Sequence, residues 1–334
     1  MSILPVKTSE FLRCYQHTAA LKGAIELDLF TAIDEGNERV VSLADRCQAS
    51  QRGIRILCDY LVILELLTKQ DDRYQLSPEA EVFLSRQSSR YLGSASRFLT
   101  STTLISHFSD VAEVVRTGAP LEGSAGTMSP EHPVWVDFAR GMAPIAAPAA
   151  GFVAELLEAS QGPPWKILDI AAGHGLFGIT LAVQNSMARV VALDWPKVLE
   201  VAEQNAQKAD LGDRYQLLPG SAFEVDFGSD YDLVLVTNFF HHFDQDTCVD
   251  LMRKIHQSLN TNGRAVTLEF VPNEDRVSPP HAASFSLTML VSTPSGDTYT
   301  FGQYQDMFQQ AGFSSTELQK IPDSPQQVLI SQKR

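Results

Sequence analysis

One stretch, Ile167 to Ala182, constrains the fold of this chain more than any other. It consists of an apolar strand, a glycine-rich turn and an apolar helix, and the next apolar run ends at Asp194. Gly173, Gly175 and Gly178 satisfy the pattern G-x-G-x-x-G, and Asp194 lies nineteen residues after Gly175. In a βαβ unit this arrangement is typical of a site for a nucleoside cofactor whose ribose binds the acid. We therefore predict such a site here.

Asp169 indicates which nucleoside binds. It lies on the strand before the glycines, where its carboxylate would repel the pyrophosphate of a dinucleotide. The same charge favours a ligand with a cationic sulfonium and an ammonium group, which describes S-adenosylmethionine. An NAD-dependent dehydrogenase is the disfavoured alternative.

Composition excludes several classes of protein. A length of 334 residues suggests about two domains. No apolar run approaches the roughly 18 residues that cross a bilayer, and Met1 to Glu10 does not resemble an export signal. A formal net charge of −14 disfavours binding to nucleic acid or to an anionic membrane surface.

The cysteines indicate the compartment. The four of them, Cys14, Cys47, Cys58 and Cys248, are widely spaced and form no C-x-x-C pair. Reduced thiols in a cytoplasmic protein are the simplest interpretation. We predict neither a disulfide nor a metal site.

The first part of the chain reads as helices followed by a small wing. Apolar residues at helical spacing predict one helix from about Phe11 to Phe30, and further helices over Val41 to Ala49 and Arg52 to Leu67. Two short strands follow around Asp71 and Asp72, and Ser77 is placed to cap the next helix.

This pattern is typical of a winged helix, a fold that often binds DNA. Residues 1–95 contain 11 Lys and Arg against 13 Asp and Glu, and the third helix is apolar on several faces. We therefore predict dimerisation through this domain and disfavour DNA binding. We place the winged-helix-like dimerisation domain at 1–98 and a catalytic domain at 99–334, with connecting helices over 99–160.

The connecting helices are candidates for the wall of an acceptor pocket, because small-molecule sites favour domain interfaces. Phe138, Met142 and Ile145 are the candidate pocket residues. Ordinary core packing is the alternative interpretation of these three side chains.

Residues 161–334 alternate between strands and helices, which predicts a Rossmann-like α/β domain with a mostly parallel sheet. The predicted strands are 166–171, 189–194, 215–219, 231–237, 264–270 and 327–331, and the predicted helices include 196–209, 245–258 and 302–311. Ligands of such sheets bind beyond the carboxyl ends of the strands. Residues at those ends should share one rim, namely Gly173, Asp194, Ser221, Asn238 and Glu269.

A pair of histidines, His241 and His242, follows the fourth predicted strand of this domain. An imidazole on that rim can take a proton from a phenol or enol near neutral pH. Transfer from a sulfonium is a direct displacement, so the enzyme mainly aligns the reacting atoms and removes this proton. Adjacent residues point in different directions, so only one histidine can be the base. Packing of both is the alternative.

With these motifs the chain resembles the class I S-adenosylmethionine-dependent methyltransferases, and among them the two-domain small-molecule O-methyltransferases. The resemblance covers nearly the whole chain. Its marks are Leu-Asp-Ile-Ala-Ala-Gly-His-Gly (168–175), Ala-Leu-Asp-Trp-Pro (192–196), Gly-Ser-Ala-Phe-Glu (220–224), Phe-His-His-Phe-Asp-Gln-Asp-Thr-Cys (240–248), Leu-Asn-Thr-Asn-Gly-Arg (259–264) and Ala-Gly-Phe (311–313).

The resemblance assigns catalytic roles. The histidine that is the general base of the family falls on His241, and the first acid that braces it falls on Glu269. The second acid falls on Phe301, so that carboxylate is missing here. His242 and Met289 fall at positions of the acceptor pocket.

The resemblance also assigns the cofactor site. The first glycine of the family's turn is Ala171 here, and Gly178 becomes the least important of the three glycines. The family's acid at the adenine edge is replaced by Ser221. The implied cofactor-binding residues are Asp169, Ala171, Gly173, Gly175, Asp194, Trp195, Ser221, Ala222, Phe223 and Asn238.

The sequence thus predicts a cytoplasmic homodimer that transfers a methyl group from S-adenosylmethionine to a hydroxyl of a small aromatic or polyene-like metabolite. The missing second acid leaves open a C-methyltransferase or a non-methylating member of the fold. A DNA-binding regulator that senses S-adenosylmethionine is the alternative from another class.

Overall fold

A computed structural model describes residues 6–121 and 134–334 of the chain. Residues 122–133 belong to the predicted connecting segment 99–160 and lie outside the described residues. The chain divides into two compact units, one ending at Thr102 and the other beginning at Thr103. The proposed bounds 1–98 and 99–334 stay a prediction.

The N-terminal unit is helical with a small hairpin. Its elements are α1 (Val6–Phe11), α2 (Cys14–Glu26), α3 (Leu29–Asp34), α4 (Val40–Arg46), α5 (Gln51–Ile63), β1 (Leu67–Gln70), β2 (Arg73–Leu76), α6 (Pro78–Phe83) and α7 (Ser96–Leu99). Strands β1 and β2 are antiparallel and form the predicted wing. The hydroxyl of Ser77 accepts a hydrogen bond from the amide of Ala80, as the predicted cap requires.

The prediction of one helix from Phe11 to Phe30 was wrong. Helix α2 ends at Glu26, and Asp28 then adopts the left-handed conformation with φ of 55°. The chain turns at that residue, so α3 points its apolar side chains into the core of this unit. Leu29 and Phe30 are fully buried there.

The C-terminal unit contains a seven-stranded sheet between two layers of helices. Its helices are α8 (Thr102–His107, which begins at the division), α9 (Val111–Thr117), α10 (Val134–Gly141), α11 (Ala143–Leu156), α12 (Leu176–Gln184), α13 (Pro196–Lys208), α14 (Gln245–Ser258), α15 (Pro280–Ser292) and α16 (Phe301–Gln310). Its strands are β3 (Lys166–Ile170), β4 (Arg189–Asp194), β5 (Tyr215–Pro219), β6 (Tyr231–Thr237), β7 (Leu259–Phe270), β8 (Ser315–Lys320) and β9 (Gln326–Gln332).

The strand order is β5-β4-β3-β6-β7-β9-β8. The first five strands are parallel, and β9 and β8 are antiparallel to their neighbours. This confirms the predicted mostly parallel α/β domain. The chain crosses over after β3, so that β4 and β6 lie on either side of it, which leaves a crevice at the carboxyl ends of the strands.

Two elements of this unit were not predicted, the edge strand β8 and the helix α15. Strand β8 carries mostly polar side chains because it has only one neighbour and lies partly in solvent. Helix α15 buries Ala282, Met289 and Val291. None of the described helices is long and apolar enough to span a bilayer.

Candidate functional site

The glycine turn connects β3 to α12 through left-handed backbone conformations. Ala171, Gly173 and Gly175 have φ of 53°, 57° and 74°. Ala171 therefore adopts a conformation that favours glycine, at the position where the family has one. A Cβ atom on Gly175 would lie 2.5 Å from the hydroxyl of Tyr215. Only glycine fits at 175.

Gly178 is more important for the fold than the sequence indicated. A Cβ atom there would lie 2.8 Å from Cγ1 of Val190 and 2.9 Å from Oδ2 of Asp169. The helix α12 can approach the sheet this closely only because residue 178 lacks a side chain. The third glycine of the pattern thus serves helix–sheet packing.

Asp194, at the end of β4, holds the glycine turn. Its Oδ2 accepts a hydrogen bond of 2.8 Å from the amide of Gly173, and its Oδ1 accepts one of 2.7 Å from the amide of Trp195. Each oxygen keeps a further lone pair for a ribose hydroxyl. Burial raises the pKa of Asp194 to about 6.

Asp169 is buried beneath the turn. Its Oδ2 accepts a hydrogen bond of 3.2 Å from the amide of Gly178, whereas Oδ1 has no partner among the described residues. Burial and the charge of Asp194 raise the pKa of Asp169 to about 7. A cation above the turn would offset the cost of ionising both carboxylates. These residues fit the predicted cofactor, S-adenosylmethionine, because it carries that charge.

The loop after β5 lies at the same rim. Ala222 is buried, and its carbonyl accepts a hydrogen bond of 2.9 Å from Nζ of Lys254, which fixes the loop. The hydroxyl of Ser221 accepts from the amide of Phe223. The ring of Phe223 packs edge-on against Phe243 at 4.9 Å. The sequence offered no signal for Lys254.

Strand β6 is followed directly by a residue in the left-handed backbone conformation. Asn238 has φ of 55°, and its amide donates to the carbonyl of Leu268 over 2.8 Å. Its Oδ1 accepts a hydrogen bond from Nε2 of Gln326 on β9. The strand order thus places Gly173, Asp194, Ser221, Asn238 and Glu269 along the carboxyl edge of five adjacent parallel strands.

His241 and Glu269 form a buried pair at this edge. Nδ1 of His241 lies 2.5 Å from Oε2 of Glu269. Oε1 of Glu269 accepts hydrogen bonds from the amides of Phe239 (2.9 Å) and Phe240 (2.8 Å). Because Nδ1 of His241 faces a carboxylate oxygen, Nδ1 carries a proton in this contact, and Nε2 is the ring nitrogen that can offer a lone pair.

Aromatic rings surround His241. Phe285 packs edge-on at 5.0 Å and stacks on Phe270 at 4.1 Å. The ring of His242 lies 4.3 Å from that of His241, and Trp135 packs edge-on against His242 at 5.5 Å. Phe270, Phe285 and Trp135 were not predicted from the sequence. Phe285 lies one helical turn before the predicted pocket residue Met289, a spacing that could have identified it.

His242 has a different role from His241. Its Nδ1 lies 3.1 Å from the carbonyl of Phe239 and therefore carries the proton. Burial and the neighbouring His241 hold the pKa of His242 well below its ordinary value. His242 is thus a neutral wall residue of the site.

The predicted pocket residues are not all in one place. Phe138 lies over the glycine turn, 3.7 Å from the position of a Cβ on Gly173, and stacks on the ring of His174. Met289 is buried on α15, on the side of Phe285. Met142 is half-buried at the start of α11, and Ile145 is 41% exposed. No described contact joins Met142 or Ile145 to His241.

Phe301 occupies the position of the missing acid. It is the first residue of α16, which begins with a capping box formed by Thr300 and Gln303. Phe301 packs against the core on the α14 and α16 side of the sheet. Among the described residues, Glu269 is the one carboxylate that bonds His241.

Comparisons with known proteins identify the family of the chain. The family model for the O-methyltransferase domain matches residues 138–314, just over half of the chain, and the model for the O-methyltransferase dimerisation domain matches residues 9–86. The tetracenomycin polyketide synthesis 8-O-methyl transferase TcmO of Streptomyces glaucescens is 26% identical over 94% of this chain and 92% of its own length.

Solved structures extend the likeness to the whole fold. A putative O-methyltransferase from Nostoc punctiforme is 46% identical, with a TM-score of 0.95 and complete coverage of both chains. Human N-acetylserotonin methyltransferase, solved in complex with S-adenosylmethionine, has a TM-score of 0.86 at 20% identity and covers 100% of this chain and 98% of its own. The chain belongs to the family of S-adenosylmethionine-dependent O-methyltransferases that carry an N-terminal dimerisation domain.

Proposed function

We propose that the protein methylates a hydroxyl of a small aromatic or polyene-like natural product, with His241 as general base and Glu269 as the residue that orients it. The observation that carries this proposal is the buried contact of 2.5 Å between Nδ1 of His241 and Oε2 of Glu269. It leaves Nε2 of His241 as an acceptor without a hydrogen bond from any described residue.

The residues of the rim have separate tasks in this mechanism. S-adenosylmethionine supplies an electrophilic methyl group on a cationic sulfur. Asp194 accepts the ribose hydroxyls, and the amides around Gly173 and Gly175 allow the close approach of the cofactor. We assign the loop Ser221 to Phe223 to the adenine edge, and Trp195 and Asn238 to the same cofactor site. Asp169 contributes negative charge from beneath the turn.

His241 removes the proton of the acceptor hydroxyl. Nε2 accepts the hydroxyl proton as the oxygen bonds to the methyl carbon, and the carbon–sulfur bond breaks with its electron pair on sulfur. Glu269 stabilises the imidazolium that forms, because its charge lies next to Nδ1. The proton then passes to solvent, so the cycle ends with a methyl ether and a neutral thioether.

The acceptor pocket favours a flat substrate. Phe270, Phe285 and Trp135 surround the two histidines with aromatic surface, and the polarisable Met289 lies on the same side. Such walls suit an aromatic ring that carries one hydroxyl toward Nε2 of His241. The relative TcmO is named for an 8-O-methyl transfer in polyketide synthesis, which supports an acceptor of this class.

We propose that the chain acts as a homodimer in the cytoplasm. The N-terminal unit exposes large apolar side chains on its helices and on the turn between α1 and α2, namely Phe11, Leu12, Tyr15, Ile56 and Ile63. Exposed apolar surface of this kind is typical of a protein interface. The four cysteines are free thiols, as a reducing compartment produces.

A screen for methyl transfer tests the function. The purified protein is incubated with methyl-labelled S-adenosylmethionine and a panel of phenols, catechols, quinols and pigment precursors. We expect transfer to at least one acceptor, with an O–CH3 signal in the NMR spectrum of the product. A product with a new C–CH3 signal would favour the C-methyltransferase that the absence of an acid at Phe301 leaves open. No transfer to any acceptor would contradict the proposal.

A further inference from the structure

Two buried polar atoms beneath the glycine turn have no hydrogen-bond partner among the described residues. They are Oδ1 of Asp169 and the hydroxyl oxygen of Tyr215. Buried polar atoms without partners are rare because their desolvation is costly, and ordered water commonly bridges them. The proposed mechanism uses Asp169 but assigns no role to Tyr215.

The fold brings these two atoms under the same helical turn. The ring of Tyr215 packs against a small cluster that includes Ala192, which is the register partner of Asp169 on the neighbouring strand. The hydroxyl oxygen of Tyr215 lies 2.5 Å from where a Cβ atom on Gly175 would be. Oδ2 of Asp169 lies 2.9 Å from where a Cβ atom on Gly178 would be. Gly175 and Gly178 are three residues apart at the start of α12.

The two groups are chemically complementary. Burial, together with the charges of Asp169 and Asp194, raises the pKa of Tyr215 well above its ordinary value, so its hydroxyl keeps its proton and is a donor. Oδ1 of Asp169 is an acceptor. A donor directed at a carboxylate favours the ionised form.

We propose that Tyr215 is a positioning residue for cofactor selection: its hydroxyl donates through one buried water molecule to Oδ1 of Asp169 and favours the ionised form of that carboxylate. The inference depends on the proposed function, because it concerns the cofactor of that reaction. S-adenosylmethionine carries one more positive charge than its product, S-adenosylhomocysteine. A fixed negative charge beneath the turn therefore favours the substrate form over the product form, which reduces product inhibition.

Calorimetric titration with both ligands tests this inference. The proteins compared are the wild type, Tyr215→Phe, Asp169→Asn and the double variant. We expect Tyr215→Phe to weaken S-adenosylmethionine binding roughly fivefold to tenfold and S-adenosylhomocysteine binding less than about twofold, as the loss of a hydrogen bond to a charged group implies. Asp169→Asn should also lower the ratio of the affinity for S-adenosylmethionine to the affinity for S-adenosylhomocysteine. In the Asp169→Asn background, Tyr215→Phe should have no further effect.

Tyr304→Phe is the matched control, because Tyr304 also has a buried hydroxyl without a partner among the described residues but lies on α16. It should leave the ratio of the two affinities unchanged. Equal weakening of both ligands by Tyr215→Phe would overturn the inference. So would an unchanged ratio in Asp169→Asn, or an undiminished effect of Tyr215→Phe in that background. A wild type that binds neither ligand would overturn the proposed function as well.

Discussion

Gly296 lies directly against the backbone of His241. A Cβ atom on Gly296 would lie 2.3 Å from the carbonyl oxygen of His241 and 2.9 Å from the carbonyl carbon of His242. The amide of Gly296 donates to the hydroxyl of Thr293 over 2.9 Å, which fixes the loop in this place. The position of the proposed base thus depends on the absence of a side chain more than fifty residues later.

Gly296→Ala should therefore displace His241. We expect kcat to fall by about 10²-fold, the effect of a misplacement of roughly 1 Å, while S-adenosylmethionine binding is retained. Steady-state kinetics and calorimetry measure the two quantities. Gly151→Ala is the control, because a Cβ there has no neighbour within 4 Å. Equal kcat values for Gly296→Ala and the wild type would refute this role.

Asp194→Asn should weaken S-adenosylmethionine binding. The substitution preserves the shape of the side chain but removes the charged acceptor that we assign to the ribose hydroxyls. The loss of hydrogen bonds to a charged group corresponds to a roughly tenfold to hundredfold rise in Kd. Calorimetry measures it, with the exposed Asp213→Ala as control. An unchanged Kd would remove Asp194 from the cofactor site.

The buried carboxylates predict a pH dependence of cofactor binding. Burial raises the pKa of Asp194 to about 6 and that of Asp169 to about 7, from the ordinary value of 3.8 for an aspartate. The free folded chain therefore binds these protons more tightly than the unfolded chain, so this contribution to its stability is lost as the pH rises from about 4 to 7. The cationic cofactor binds the ionised forms and gains affinity over the same range.

A thermal shift assay measures this linkage. We expect the rise in Tm caused by S-adenosylmethionine to be small near pH 5, to grow through about pH 6 and to level off above about pH 7. Asp194→Asn should abolish the part of this increase that occurs near pH 6, where Asp194 loses its proton. A rise in Tm that stays constant between about pH 5 and pH 8 would show that neither carboxylate responds to the cofactor.

The exposed apolar residues of α1, of α2 and of the turn between them predict the assembly. In size-exclusion chromatography with light scattering, a variant with Leu12→Glu and Tyr15→Glu should have the mass of one chain. The reason is that charges buried at an interface disfavour association. The wild type should have the mass of two chains. Val277→Glu, which changes an equally exposed apolar residue of the C-terminal unit, is the control and should remain dimeric. A monomeric wild type would contradict the proposed homodimer.

The sequence predicted the residues whose position follows from the end of a strand. Asp194 and Glu269 occupy strand ends, and His241 follows one closely, so the topology of a parallel sheet brings them to one edge once the strands are known. The prediction of the α/β fold succeeded for the same reason, because each central strand is a short apolar run between helices.

The sequence did not predict contacts between distant segments. Phe285 and Gly296 contact His241 and Trp135 contacts His242, from three parts of the chain that local patterns do not relate to each other. Strand β8 was missed because its edge position allows polar side chains. The break at Asp28 was missed because a single left-handed residue leaves the apolar periodicity on both sides intact.

The most direct test of the central claim is His241→Ala, with turnover and cofactor binding measured on the same preparation. His241 is proposed to act on the acceptor and not on the cofactor. We predict an unchanged Kd for S-adenosylmethionine and a fall in kcat of roughly 10²-fold to 10⁴-fold, the usual contribution of general acid–base catalysis. Undiminished turnover in this variant would show that His241 is not the base.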